Sequence, residues 1–380
     1  MSASVIGGNG IDNNRGNNSA MAVPASQGDT KLVVAEYVFI DGFGTTRSKT
    51  RIIQGQIIPG QEARGLMFSI DVWNVDGSST GQSETGKSDI ILLPRALFND
   101  PFNESRDGIK YCLVLCDVMN IDGRPHPSNT RAQLFRVLEQ LGETKINAEE
   151  PWFGIEQEYI IYDAATALPY KWQPTTYSSK QGSYYCGVGG NVAFGREIAM
   201  EHMNKCISAG VSICGVNGEV APSQWEFQIG ICNPIAVCDH LWMARYILAR
   251  VAESYGAYIS YDPKPLGAAW NGSGAHTNFS TAGMRADGGL GVIKAAIEKL
   301  AGQHKEHMAV YGDGNDRRLT GIHETSNMDK FTYGECDRGS SVRIPINVLA
   351  EGRGYFEDRR PAANADPYLV VAKILETVLL

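Results

Sequence analysis

The chain has 380 residues, is 43% hydrophobic and 20% charged, and carries a formal net charge of −8. That length sets two domains as the expectation. The acidic balance, without a basic stripe, excludes a general nucleic-acid or anionic-membrane binder, and no apolar run approaches the roughly 18 residues of a membrane span. Eight cysteines are scattered without a CxxC pair, mostly in apolar contexts such as "YCLVLCDV" and "VSICGV". Reduced cysteines packed as small hydrophobes fit this better than disulfides or a zinc site, and they point to a reducing compartment.

Residues 1–30 are rich in Gly, Asn and Ser, with neither the apolar stretch of a secretory signal nor the repeated basic residues of a presequence. They read as a disordered tail. From Leu32, "LVVAEYVFIDG" is β-rich and ends in Asp-Gly, so with "RSKTRII" it predicts a hairpin. "SDIILLP" and "KYCLVLCDV" supply further strands, giving a small sheet domain over residues 31–122. "DGRPHPSNT" breaks the chain, and "SNTRAQLFRVLEQLG" opens the second domain, 123–380, with a capped helix. Beyond it the patterning predicts strands at 153–162, 211–217, 224–230, 274–281, 340–345 and 354–357, and helices at 195–209, 238–256, 286–302 and 366–378. Antiparallel strands with helices packed outside make this α+β rather than doubly wound.

The chemistry is concentrated in four segments. In "PWFGIEQEYII" Glu156 and Glu158 project from one face of a strand that is otherwise apolar. Alone, that is a strand with a solvated face. "NGEVAPSQWEFQIG" repeats the oddity, with Glu219 at a turn and Glu226 flanked by Trp225 and Phe227. "WNGSGAHTNFS" places His276 after small residues that allow close backbone approach, and "GYFEDRRPAANADP" places Glu357 beside aromatics. Residues 317–360 hold seven arginines and one lysine, a bias toward bidentate recognition of carboxylate or phosphate. No P-loop occurs, and no convincing GxGxxG follows a strand. Five glutamates and a histidine facing arginines fit two divalent cations holding a polyphosphate for phosphoryl transfer.

Taken together, "DGSSTGQ", "WFGIEQEY", "YYCGVG", "NGEV…QWEFQIG", "WNGSGAHTNFST", "RRLTGIHETSN", "DRGSSVRIP" and "GYFEDRRPAANADPY" occur in order from about Val34 to the C-terminus. In these motifs the chain resembles the shorter eukaryotic-type glutamine synthetases. The resemblance implies an N-terminal β-grasp domain followed by a catalytic domain of antiparallel strands with outer helices. It implies ligation of ammonia to L-glutamate with ATP through γ-glutamyl phosphate, at a site with two or three Mg²⁺ or Mn²⁺ ions. One cation would be held by Glu158, Glu219 and Glu226, and another by Glu156, His276 and Glu357. Arg318, with Trp270, Asn271 and Gly272, matches the glutamate pocket. Arg338, Arg343 and Arg359 match residues facing the phosphates. Glu226, Phe227, Asn278, Phe279, Ser280, Tyr355 and Phe356 match nucleotide contacts. Asp76, with Ser79, Tyr185 and Glu324, matches the ammonium site, with Asp76 the base and Glu324 on a closing flap. The family pattern also implies an oligomer of two stacked pentameric rings, with Asp76 acting on the neighbouring subunit's site, and the cysteine usage with the missing targeting signals points to the cytoplasm.

Three departures stand out. Val75 replaces an aromatic, with looser packing behind Asp76 expected. Asp337 replaces Asn beside Arg338, adding negative charge near the phosphate grip, and Ile231 replaces a proline after "QIG". The rival readings are a γ-glutamyl ligase for polyamines and a non-catalytic structural ring. The intact ammonium and metal motifs weigh against both.

Overall fold

The computed structural model describes residues 21–24, 32–54, 67–106, 108–177 and 181–380. Most of the expected tail lies outside them. Within it, however, β1 (Met21–Pro24) pairs antiparallel with β4 (Met67–Ile70), so that stretch is a strand rather than tail.

The N-terminal sheet contains β2 (Leu32–Ile40), β3 (Thr46–Gln54), β5 (Trp73–Asp76), β6 (Asp89–Asn99) and β7 (Ile109–Met119), in the order β3-β2-β7-β6-β5. Its pairings are antiparallel except β2 with β7. The expected β2–β3 hairpin forms because Asp41 organises its turn. One Asp41 oxygen accepts from the Phe43 and Thr45 amides (both 2.9 Å) and the other from Arg47 Nε (2.8 Å). Alternate residues Val33, Ala35, Tyr37 and Phe39 fill a small core with Leu92 and Val114. Val75 packs into that core and is 8% exposed.

The larger sheet is built from β8 (Trp152–Asp163), β9 (Ile213–Gly218), β10 (Gln224–Cys232), β11 (Ala257–Ser260), β12 (Ala275–Ser280), β13 (Tyr333–Glu335), β14 (Val342–Ile344) and β15 (Phe356–Asp358). Their order is β13-β14-β15-β12-β8-β10-β9, and β11 continues β12's edge of β8. One face is covered by helix Pro234–Glu253, which packs on β8, β10 and β11 and is flanked by helices Arg196–Ala209 and Pro367–Leu379. Asn233 caps the long helix by accepting from the Ala236 amide (2.9 Å), and Pro234 sits at its first turn. The helix therefore starts four residues before the 238 expected from patterning. Fully buried Phe153, Tyr159, Phe227, Phe279 and Phe356 belong to the main core. The result is the expected α+β architecture, a β-rich N-terminal part followed by a larger antiparallel sheet with outer helices.

Candidate active site

Strand alternation builds the site. On β8, Gln157 points to the core side, where buried Arg245 donates to its Oε1 from Nε (3.0 Å) and Nη2 (2.6 Å). Glu156 and Glu158 therefore point to the opposite face. Antiparallel register then fixes their neighbours. Glu158 lies opposite Glu226 of β10, and Glu226 opposite Asn217 of β9. Glu156 lies opposite Gln228 on one side and His276 of β12 on the other. Glu357 of β15 sits between Asn278 and Arg343. The chain order scatters these groups over some two hundred residues, and the sheet lays them side by side.

Two groups have cation-ligand geometry. Ligand atoms of Glu158, Glu219 and Glu226 all lie within 4.8 Å of one another, as do those of Glu156, Glu226 and His276. The first group is the expected trio. In the second, Glu226 stands where Glu357 was expected. Glu357 Oε1 is 3.5 Å from His276 Nδ1, yet both its oxygens are held by arginines, one by Arg343 and the other by Arg359 Nη1 at 2.7 Å.

The electrostatics show what these groups lack. Burial pushes the Glu158 carboxyl up to about 7, against the pull of Arg318 and the Gly274 amide. Burial, with Glu158 adding to it, takes Glu219 to about 8, and burial with three neighbouring carboxylates drives Glu226 well above the ordinary range. His276 is pushed well below its ordinary value, by burial first and Arg359 next, so it is a neutral imidazole. Such a donor set, acidic oxygens and one neutral nitrogen short of positive charge, fits hard divalent cations.

The cluster opens into a cavity of about 530 Å³ that is also lined by Tyr185, Asn271, Gly272, Arg318, Glu324, Arg338, Arg343 and Arg359. Gly274, next to the cavity and immediately before β12, is closely packed: a Cβ there would meet Arg318 Nη2 at 2.4 Å and His276 Nε2 at 2.8 Å, so those side chains would have to shift. His323 and Glu324 hold positive φ values of 56° and 60°, a conformation that costs such residues on the order of 1 kcal/mol each.

A second, apolar cavity of about 630 Å³ adjoins the first at Glu156, which lines both. Asn278, Phe279, Ser280 and Tyr355 line it. Phe227 and Phe356 are fully buried in the core and line neither cavity. Trp152 and Arg285 were missed: the guanidinium lies 3.6 Å from the Trp152 ring centroid and forms a flat lip to the slot. Trp152, beside Pro151 in the opening motif, carried a signal, whereas nothing local marks Arg285. Ile231 also lines this slot, and its side chain is exposed. Asp337 accepts from the Gly339 amide (2.8 Å) in its own turn. Trp270 packs with Tyr184 in a separate apolar cluster. Asp76 and Ser79 do not line the main cavity. Asp76 is exposed, accepting from Ser78 Oγ and Ser79 Oγ at 2.7 Å each.

A carboxylate–histidine cluster, an arginine wall and an adjoining aromatic-lipped slot on an antiparallel sheet define a divalent-metal-dependent enzyme of phosphoryl chemistry. Residues 127–380 match the family model described as the catalytic domain of glutamine synthetase. The chain is 49% identical over 345 residues to a glutamine synthetase of Neurospora crassa, covering 91% of each. It is 47% identical to glutamine synthetase cytosolic isozyme 2 of Glycine max, covering 92% of this chain and 95% of that one. A solved structure described as "Apo GmaS without ligand" shares the fold at 23% identity and a TM-score of 0.68, over 91% of this chain and 77% of that one. The chain belongs to the glutamine synthetase family, and it is a metal-dependent glutamate–ammonia ligase.

Proposed function

We propose that the two cavities divide the reaction between them, the apolar slot taking the nucleotide and the arginine-walled cavity taking glutamate and the transferring phosphate. The observation that carries this is Glu156, which lines both spaces at the edge of the carboxylate cluster. Glu158, Glu219 and Glu226 would hold one divalent cation, and Glu156 and His276, with Glu226 or Glu357, another. Mg²⁺ and Mn²⁺ both suit these donors, two or three ions per site. When bound, they supply charge neutralisation for the polyphosphate and bring the glutamates to their ionised state.

The residues then have separable tasks. Arg318, with Asn271 and Gly272, binds the glutamate α-carboxylate. Arg338, Arg343 and Arg359 orient the γ-phosphate for attack by the γ-carboxylate, which forms γ-glutamyl phosphate and ADP. Ammonia next displaces phosphate. Ammonium must first lose a proton, and Asp76 is the acceptor. The Ser78 and Ser79 hydroxyls hold its carboxyl below the ordinary range, so it is ionised and purely an acceptor. Glu324 closes over the acyl phosphate and keeps water out.

Asp76 and Ser79 lie outside their own chain's cavity, which supports their acting on a neighbouring subunit's site. A homo-oligomer follows, with residues 31–122 as the β-grasp unit, residues 123–380 as the catalytic unit, and two stacked pentameric rings as the assembly. Relatives carrying the word cytosolic in their names support a cytoplasmic location. The test is phosphate release from ATP, Mg²⁺ and glutamate with and without ammonium, on wild type and Glu158→Ala. Ammonium-dependent release abolished by the substitution is the expected result. Release only with a polyamine, or with no amine at all, would overturn the reading.

A further inference from the structure

Behind the glutamate pocket sits a buried ammonium without a partner. Lys264, in the "DPKPLG" loop between β11 and β12, is 8% exposed, and its Nζ has no hydrogen-bond partner among the described residues. Among the described residues no carboxylate bonds to it. The Lys264 amide donates to Asp262 Oδ1 (2.7 Å), and the other Asp262 oxygen is taken by Arg317 Nη2 at 3.0 Å. Burial and the charge of Arg318 both hold the lysine below its ordinary value.

The loop's path places this lysine against the pocket floor. The Pro263 carbonyl, immediately before it, accepts from the Ser273 amide (2.9 Å). It also closes on Gly272, where a Cβ would meet that carbonyl at 2.4 Å and Arg318 Cγ at 2.6 Å. Gly272 thus lies between the lysine loop and Arg318. Arg318 itself is 3% exposed, and no carboxylate is among its hydrogen-bond partners in the described residues. It bonds to the Arg359 and Arg360 carbonyls (3.0 and 3.3 Å), Asn315 Oδ1 (3.5 Å) and His276 Nε2 (3.1 Å). Arg318 faces the Glu158 carboxyl, whereas Lys264 has no carboxylate partner among the described residues, and a buried unpaired charge destabilises the fold unless an anion arrives.

We propose that Lys264 is a positioning residue for the amino-acid substrate: beside Arg318, which already faces Glu158, it adds a further buried positive charge that a substrate α-carboxylate offsets when it binds. This deepens the proposed role of Arg318 and rests on it. The lysine acts through Arg318 and the field in the pocket, so it governs affinity for the α-carboxylate and leaves nucleotide binding alone.

The experiment measures ammonium-dependent phosphate release against glutamate and against ATP for wild type, Lys264→Met, Lys264→Gln and Lys264→Arg, with melting curves of each holoenzyme without glutamate. In the Met and Gln variants the glutamate KM is expected to rise about tenfold, with kcat and the ATP KM within about twofold. Their melting temperature without glutamate is expected to rise, since an unpaired buried charge has been removed. Lys264→Arg is expected to restore the glutamate KM. Stabilisation by 4-aminobutanoate, which lacks the α-carboxylate, should be the same in wild type and Lys264→Met. An unchanged glutamate KM in both neutral variants overturns the proposal, as does an equal loss for both substrates with a lower melting temperature. Wild type without glutamate-dependent release overturns the functional reading itself, and this inference with it.

Discussion

Glu158 and Glu219 carry a pH signature that their burial dictates. Unfolded, each titrates near 4.5, whereas in the folded chain they are raised to about 7 and about 8. Between those values the folded metal-free protein binds more protons than the unfolded one, so its stability falls as pH rises from ~5 to ~8. A divalent cation competes with those protons, and its binding releases them. Melting curves across that range should slope downward without metal and flatten with saturating Mg²⁺. Calorimetry in buffers of different ionisation enthalpy should show proton release at pH 7, and stability rising with pH in the metal-free protein would contradict the assignment. A different residue pair tests the support behind the site. Asp358 and Arg360 are fully buried, paired at 2.7 Å, and point away from their neighbours Glu357 and Arg359. Arg360→Met leaves Asp358 charged and unpaired, and should cost ~3–5 kcal/mol of stability in denaturant titration.

At the scale of elements, β8 shows how much a strand pattern conveys. The i, i+2 spacing of Glu156 and Glu158 placed them on one face, and the flanking Trp225 and Phe227 marked Glu226 as a comparable acid on β10. The long strands and helices were legible because their periodicity extends over several turns or pairings. β13 has three residues and pairs parallel with β14, and β11 has four, so neither carries a period to detect. The early start of helix Pro234–Glu253 was written in "CNPIAV" as an Asn cap followed by Pro. It lay outside the apolar run that drew attention. Gly274 opens β12's approach to the pocket, and its substitution tests the close contact there. Gly274→Ala should displace Arg318 from His276, raising the glutamate KM about tenfold or more while far-UV circular dichroism stays unchanged. A variant with normal glutamate KM would show that the wall yields.

For the whole molecule, the separation of Asp76 from its own cavity makes a prediction about assembly. Asp76→Ala and Glu158→Ala should each be inactive alone. Co-assembled in equal amounts, they should regain about a quarter of the sites, since a quarter pair an intact N-terminal unit with an intact catalytic one. No recovery after verified mixing would place Asp76 in its own subunit's site. Within one chain the two parts are tied together. Arg131 Nε donates to Asp239 Oδ1 (2.9 Å), and Asp117 of the N-terminal sheet lies 3.9 Å from Arg131 and is held by Arg95 at 2.6 Å. Motions of the Asp76 loop are therefore expected to be local rather than whole-domain.

The sequence alone determined the ingredients: which acids sit in apolar strands, the arginine bias of residues 317–360, the α+β class and the family motifs. These are local, because strand alternation and helix periodicity are properties of neighbouring residues. What only the tertiary structure decided is which distant residues meet. Register across β8, β10, β12 and β15 gave Glu226 a place in both ligand groups and left Glu357 to the arginines. It brought Arg285 onto Trp152, and it enclosed Lys264 near Arg318 with no hydrogen-bond partner for its ammonium among the described residues. Pairings of this kind depend on hydrogen-bond register and burial summed over the whole sheet, and no single segment contains that information.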